Sequence, residues 1–334
     1  PGFIDTQVNG GGGVLFNDQV DVETIAAIGA AHARFGTTAF LPTLISDTPD
    51  QIAAALAAVD AAIDHGVPGV VGIHVEGPFI NEVKRGIHEA RRIRRLDSDT
   101  LALLTAPRRG RVMLTLAPEL CDESDIRTLV HHGVIVSAGH TNATYDEAQL
   151  AIAAGLTGFT HLFNAMSPLH HRKPGAVGAA FDSDTYCGMI VDDAHLHPAV
   201  VRLAVRAKGV QRLMLVTDAM PSVGTDDTEF MLQGKRIMVR DGVCLFEDGT
   251  LAGTHLDMAS ALRNTIAETG LEVAEAAIMA SATPARFLSL ETHGALAPGK
   301  RADWVWLDEK LHPRGTWIGG ERLTDTEEFA RAAQ

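Results

Sequence analysis

Two histidines, His140 and His161, carry the first sign of chemistry in this chain. Each ends a short apolar run with strand character, Gly133–Ala138 and Leu156–Thr160, around the stretch VSAGHTNATYDEAQLAIAAGLTGFTHLFNAM (Val136–Met166). Between them Tyr145–Ala154 has the alanine-rich pattern of a short helix, with Gly155 as its stop signal. A strand–helix–strand crossover makes the two strands parallel, so both imidazoles emerge on one rim. Neutral imidazole is a common zinc ligand, and two on neighbouring strand ends can share one ion. Alone, such a pair is more often two unrelated loop histidines. The other strand ends decide between these readings.

Strand-like runs elsewhere end in Asp5, Gln7 and Asn9, in His74, Glu76 and Gly77-Pro78, in Asp192–His195, and in Asp218; Asn164 follows His161. A single carboxylate at a strand end is commonly a helix cap or a loop hydrogen-bonder. So many polar ends converging on one rim are more than packing requires. Glu76, His140 and His161 supply one carboxylate and two nitrogens and leave positions open, which is a catalytic zinc arrangement. Such an ion lowers the pKa of a bound water and polarises a carbonyl. Asp218 can take the water's proton and return it to a leaving group. His88, His195 and Arg172 lie on loops of the same rim and could hold an oxyanion or an anionic substrate group. Asp192 and Asp193 are weaker candidates. The set points to metal-assisted hydrolysis of an amide or ester.

The elements that must position these groups are legible as alternation. Strand-like runs fall at Gly2–Val8, Thr38–Leu44, Val70–Val75, Val112–Leu116, Val134–Ala138, Gly158–Leu162, Cys187–Val191 and Leu213–Thr217. Helical patterns at Val22–Arg34, Pro49–His65, Leu101–Thr105, Glu123–His132, Tyr145–Ala154 and Pro198–Lys208 separate most of them, and Asn164–Ala180 reads as a long loop. Eight such units predict an α/β fold, a (β/α)₈ TIM barrel, with a doubly wound sheet as the alternative. Phe230–Cys244 alternates like a hairpin, helices are expected at Met258–Thr269 and Val273–Ser281, and Ala302–Leu307 and Thr316–Ile318 read as strands without a barrel position. The expected division is a catalytic barrel over 1–290 with a hairpin insertion near 228–250, and over 291–334 the C-terminal part of a small β domain.

Of 334 residues, 46% are hydrophobic, enough for one large domain and against disorder. A net charge of −14 argues against binding nucleic acid, though not against a small anion held by a few cations. The basic run Arg91–Arg95 reads as a solvated face, and Gly10–Gly13 as a flexible loop, since it lacks the lysine and hydroxyl of a phosphate loop. Cys121, Cys187 and Cys244 have no metal or redox spacing, which suits a reducing, cytoplasmic setting. No run reaches membrane-spanning length. The chain opens PGFID, directly in a strand and without a methionine, so upstream sequence is expected to be missing.

With these residues in view, PGFIDTQVNGGGG, HVEGPFIN, KRGIH, SAGHTNA, THLFNAM, RKPG at Arg172–Gly175, VTDAM and LAPGKRADWV resemble the N-acetylglucosamine-6-phosphate deacetylase family of the amidohydrolase superfamily. The resemblance runs from Pro1 to about Val305. It implies a barrel with a small β-sandwich built from both chain termini, and hydrolysis of N-acetylglucosamine 6-phosphate to glucosamine 6-phosphate and acetate. By the same resemblance Glu76, His140 and His161 bind the metal, Asp218 is the general base and acid, and His88 polarises the acetamide carbonyl. His195, Arg172 and the backbone at Asn164-Ala165 would bind the sugar phosphate or its hydroxyls, and a homodimer is implied. Many amidohydrolases carry His-x-His at the end of the first strand; here that position reads Gln7-Val8-Asn9. One divalent ion per subunit is therefore expected, with Gln7 and Asn9 as hydrogen-bonding neighbours. Zn²⁺ is the leading choice, with Fe²⁺, Co²⁺ or Mn²⁺ also compatible. The rival readings are an amidohydrolase acting on another N-acyl substrate, and a non-catalytic sugar-phosphate binder on the same fold.

Overall fold

Eight parallel strands form one sheet in chain order: β1 (Phe3–Val8), β2 (Thr37–Ile45), β3 (Gly72–Glu76), β4 (Arg111–Leu116), β5 (Ile135–Ala138), β6 (Gly158–Phe159), β7 (Tyr186–Met189) and β8 (Leu213–Leu215). The structure is a computed structural model and describes residues 1–323. The first and last strands meet, because Ala219 bridges Val8 in parallel and the Asp218 N–H donates to the Gln7 carbonyl at 2.9 Å. A sheet in chain order that returns to its first strand is a (β/α)₈ barrel. The doubly wound alternative requires a reversal of strand order and is excluded.

Each strand is followed by a helix: α1 (Val22–Ala33), α2 (Pro49–Asp64), α3 (Ser98–Thr105), α4 (Glu123–His131), α5 (Tyr145–Ala153), α6 (Gly175–Phe181), α7 (Pro198–Lys208) and α8 (Met258–Thr269). Local sequence sets their ends. The Asp21 carboxylate accepts from Thr24 N–H at 2.8 Å to start α1, and Thr48 with Pro49 starts α2. Thr144 and Glu147 form a capping box on α5, and Gly270 closes α8 in the left-handed region. Ile4, Leu41, Leu44, Val75, Leu114 and Val136 are all buried to within 1% exposure, so β1 to β5 share one continuous core. Each such side chain contributes about 1.5–3 kcal/mol through burial. That rigid frame holds the strand ends in place.

Four segments differ from the sequence reading. The loop expected over Asn164–Ala180 contains α6, whose Gly- and Ala-rich residues offer little apolar periodicity. The helix at Val273–Ser281 continues through a π turn to Phe287. Gly10–Gly13 is no flexible loop: Gly10-Gly11 pairs with Val14-Leu15, and a Cβ on Gly11 would lie 2.8 Å from the His32 ring of α1. The hairpin expected near 228–250 is a four-stranded antiparallel sheet over Glu229–Thr254, inserted between β8 and α8. Its Leu232, Ile237, Cys244 and Ala252 pack with Leu15, Ile45 and Met220 into a second small core.

The late strands form a three-stranded antiparallel sheet of Trp304–Leu307, Pro313–Ile318 and Glu321–Arg322. Trp304 and Trp317 stack at 3.7 Å, and Thr316 Oγ donates to the Ala33 carbonyl at 2.7 Å, which fixes this sheet to the end of α1. The part of 291–334 beyond residue 323 lies outside the described residues. Among the described residues no helix is long and apolar enough to cross a membrane. Arg91 and Arg92 of the basic run face solvent and pair with Glu89 and Asp47.

Candidate metal centre

Glu76 is the last residue of β3, and His140 and His161 each follow the end of a strand by two residues. Glu76 Oε1 lies 3.3 Å from His140 Nε2 and 3.1 Å from His161 Nε2, and the two nitrogens are 3.0 Å apart. All three side chains are buried. His140, His161 and Asp218 share a left-handed backbone, with φ of 47, 36 and 52°. For residues other than glycine this costs on the order of 1–3 kcal/mol each and marks a functional constraint.

The donor set fits a divalent cation. His140 Nδ1 is 2.8 Å from the Lys84 carbonyl oxygen, which can only accept, so Nδ1 carries the proton and Nε2 turns a lone pair to the centre. That lone pair faces a carboxylate oxygen, an arrangement that repels unless positive charge lies between them. A tetrahedral ion with bonds of about 2.0–2.1 Å would set its ligand atoms roughly 3.3 Å apart, close to the spacing here. Burial pushes the Glu76 carboxyl up, but the His140 and His161 imidazoles beside it bring it well below the usual carboxylate range.

Around these three atoms the first and last strands supply a polar frame. Gln7 Nε2 donates to Glu76 Oε1 at 3.0 Å and to Asp218 Oδ1 at 3.1 Å, and Asn9 Nδ2 donates to Asp218 Oδ1 at 2.7 Å. The Asp218 carboxyl is raised to about 7, by burial first and then by the Glu76 charge. Beneath it, buried Asp5 accepts from Thr217 Oγ at 2.5 Å and from Gln7 N–H at 3.1 Å, which joins β1 to the end of β8. A belt of hydrogen bonds, each 2.7 Å long, links His74 to Thr115, Thr115 to Thr160, and Thr160 to Ser137. The barrel interior below the site therefore carries a linked set of polar side chains.

Three predicted residues ring the centre. His88 is buried with its ring edge-on to His140, centroids 4.3 Å apart, and burial holds its pKa well below the histidine range. His195 Nδ1 is 2.7 Å from Asp192 Oδ2. Burial alone would lower the His195 pKa, yet the Asp192 carboxylate raises it overall. Asn164 stands beside His161, its N–H donating to the His161 carbonyl at 2.9 Å, while the Ala165 carbonyl accepts from Thr141 N–H at 3.0 Å. Those two backbone groups are used within the loop, and the Asn164 side chain donates to the Leu162 carbonyl at 3.5 Å. None of the three candidate ligands lines the cavity in which Arg172 lies. Arg172 is exposed and lines this cavity of about 940 Å³ with Asn142, Tyr145, His170 and Lys173.

Sequence reasoning missed Ser46, which follows β2 and is 2.7 Å from His88 Nδ1, and it undervalued Asp192. The three-residue spacing of Asp192 and His195 was a readable signal. Ser46 had none, because it meets His88 across 42 residues of chain.

Residues 1–331 match the amidohydrolase family, and the chain belongs to it. Within that family it groups with the deacetylases of N-acetylated hexosamine 6-phosphates. It is 47% identical to N-acetylgalactosamine-6-phosphate deacetylase of a Shewanella species, over 98% of this chain and 83% of that one. It is 39% identical to human N-acetylglucosamine-6-phosphate deacetylase, over 96% and 82%. The crystal structure of N-acetylglucosamine-6-phosphate deacetylase from Pasteurella multocida superposes with a TM-score of 0.93 at 36% identity, covering 96% of this chain and 85% of that one. An Asp-to-Ala mutant of the Mycobacterium smegmatis enzyme, solved in complex with N-acetyl-D-glucosamine-6-phosphate, superposes at 0.90 and 34% identity, covering 97% and 86%.

Proposed function

We propose that this chain is a metal-dependent deacetylase of N-acetylglucosamine 6-phosphate, releasing glucosamine 6-phosphate and acetate. The observation that carries the reading is the convergence of Glu76, His140 and His161 on one point, with Gln7 bonded to both Glu76 and Asp218. A divalent ion held there would activate water and polarise the acetamide carbonyl. Zn²⁺ is our first choice, since two imidazoles and a carboxylate are a common catalytic zinc set. Asp218 accepts the proton of the attacking water and delivers it to the amide nitrogen as the C–N bond breaks. Burial raises this carboxyl to about 7 without metal, and a cation beside it would favour the carboxylate that accepts the proton. His88 donates a hydrogen bond to the carbonyl oxygen as it gains charge. Asn164 and His195, the latter braced by Asp192, hold sugar hydroxyls.

Arg172 binds the phosphate. Its exposure, in a cavity apart from the metal ligands, supports delivery across a homodimer interface into the partner's site. The three unpaired cysteines fit a cytoplasmic protein.

The test is acetate release by metal-replete protein from N-acetylglucosamine 6-phosphate, with the unphosphorylated sugar in parallel. Release from the phosphorylated sugar alone supports the reading, and release from neither favours another N-acyl substrate. N-acetylgalactosamine 6-phosphate is the second candidate, favoured by the 47% identity to the Shewanella enzyme. It belongs in the same assay.

A further inference from the structure

We propose that Ser46 is a positioning residue that fixes which ring nitrogen of His88 carries the proton, so that His88 meets the substrate carbonyl as an N–H donor. The proposal rests on the deacetylase reading and concerns a residue that reading does not use.

Ser46 directly follows β2 and is 1% exposed. Its Oγ lies 2.7 Å from His88 Nδ1, and its backbone N–H points at the same nitrogen, N to N 3.4 Å. The hydroxyl alone leaves the direction of the bond open. The backbone N–H closes it, because an amide can only donate. Were Nδ1 protonated, two N–H groups would face each other in a buried site. Nδ1 is therefore the acceptor, and a neutral imidazole then carries its single proton on Nε2. A ring of the opposite tautomer would turn a lone pair towards the carbonyl oxygen and repel the charge that develops there.

The hydroxyl's single proton goes to the nearer acceptor, His88 Nδ1 at 2.7 Å, and the Glu76 carbonyl is the more distant neighbour. Ser46 Oγ lies 3.4 Å from the Glu76 carbonyl, and a Cβ built on Gly77 would fall 2.2 Å from it. Gly77 has φ +77°, so it suits glycine twice over: for its conformation and for the space the serine needs. In this way the residue after a metal ligand makes room for the residue that orients His88.

The experiment compares wild type, Ser46→Ala, Ser46→Thr and Ser46→Cys, each with metal content measured. The substrates are N-acetyl- and N-trifluoroacetyl-glucosamine 6-phosphate. A trifluoroacetyl carbonyl is more electrophilic and depends less on donor stabilisation. Complete loss of one oxyanion donor costs about 10²–10³ in kcat, and the backbone N–H survives in Ser46→Ala, so roughly a 10-fold loss is expected on the acetyl substrate. KM and metal content should hold, the loss on the trifluoroacetyl substrate should be clearly smaller, and Ser46→Thr should recover activity. Equal losses on both substrates, or no loss on either, overturn the proposal. If the alanine variant does not fold, Ser46→Cys is read the same way, its thiol being a weak donor of similar size. Wild type inactive on both substrates would count against the deacetylase reading instead. The tautomer would then be read directly by ¹⁵N-histidine NMR, where a protonated Nδ1 on His88 refutes the assignment.

Discussion

The side-chain amide of Gln7 donates to Glu76 Oε1, the same oxygen approached by both His140 and His161. It also donates to Asp218 Oδ1, so one amide joins the ligand cluster to the residue proposed to move the proton. An amide engaged in this way serves as a neighbour to the metal and leaves a second ion without imidazole ligands at the end of β1. The chain should bind one ion, measured by elemental analysis. Gln7→Ala should weaken metal binding by about 10–100-fold in a chelator competition, the usual effect of removing such a support. Two fully occupied ions in anomalous scattering would sink the single-ion assignment.

Asp218→Asn should lower kcat by about 10²–10⁴ with metal content retained, because the amide cannot carry the proton. The raised carboxyl adds a second readout. Without metal, Asp218 titrates near 7 and is protonated at pH 6. A divalent cation favours the ionised form, so metal binding at pH 6 should expel up to about 0.9 proton from this group. Titrating Zn²⁺ into weakly buffered metal-free protein should release less acid from the Asn variant than from wild type. Identical release would show that Asp218 does not face the ion.

Asp192 and His195 form a buried pair whose pKa values move apart: Asp192 is lowered and His195 is raised. The depressed carboxyl contributes stability above its unfolded value of about 4, lost as pH falls through its folded value. The raised imidazole contributes stability below its unfolded value of about 6.5, lost as pH rises through its folded value. Both contributions are present between those limits. Asp192→Asn should therefore lower the melting temperature most between about pH 4 and 6.5, and less at higher pH. On substrate it should raise KM, since His195 loses the group that orients it.

Arg172→Ala should raise KM for the phosphorylated sugar by an order of magnitude or more, as expected for a lost charge-assisted contact, with kcat changed less. If Arg172 serves the partner's site, mixing Arg172→Ala with Asp218→Asn and allowing subunits to exchange should restore about a quarter of wild-type activity. Half of the dimers would then be mixed, each with one intact site. Measured at substrate well below the raised KM, a mixture no more active than the sum of the two variants would place Arg172 within its own subunit.

Much of this site could be read from the sequence because barrel geometry turns position along a strand into position in space. Once β3, β5, β6 and β8 are recognised, Glu76, His140, His161 and Asp218 must share the rim. Gln7 and Asn9 are legible for the same reason, as the polar ends of β1. The helix caps at Asp21, Thr48 and Thr144 are equally local and set the rhythm of the fold. What stayed hidden has few local causes. Helix α6 is built from glycine and alanine, which show no periodicity, and β6 is two residues long because His161 leaves the strand in a left-handed turn.

The sequence by itself determined the types of the candidate ligands, their order around the barrel and the absence of a His-x-His pair at the end of β1. Only the tertiary structure decided that Ser46 meets His88, that Gly77 makes room for it, and that Arg172 lines a cavity with Asn142 and Tyr145. The physical reason is distance along the chain. Strand ends are set by local patterns that repeat every few residues. A hydroxyl against an imidazole 42 residues away depends on how two loops settle over the finished barrel.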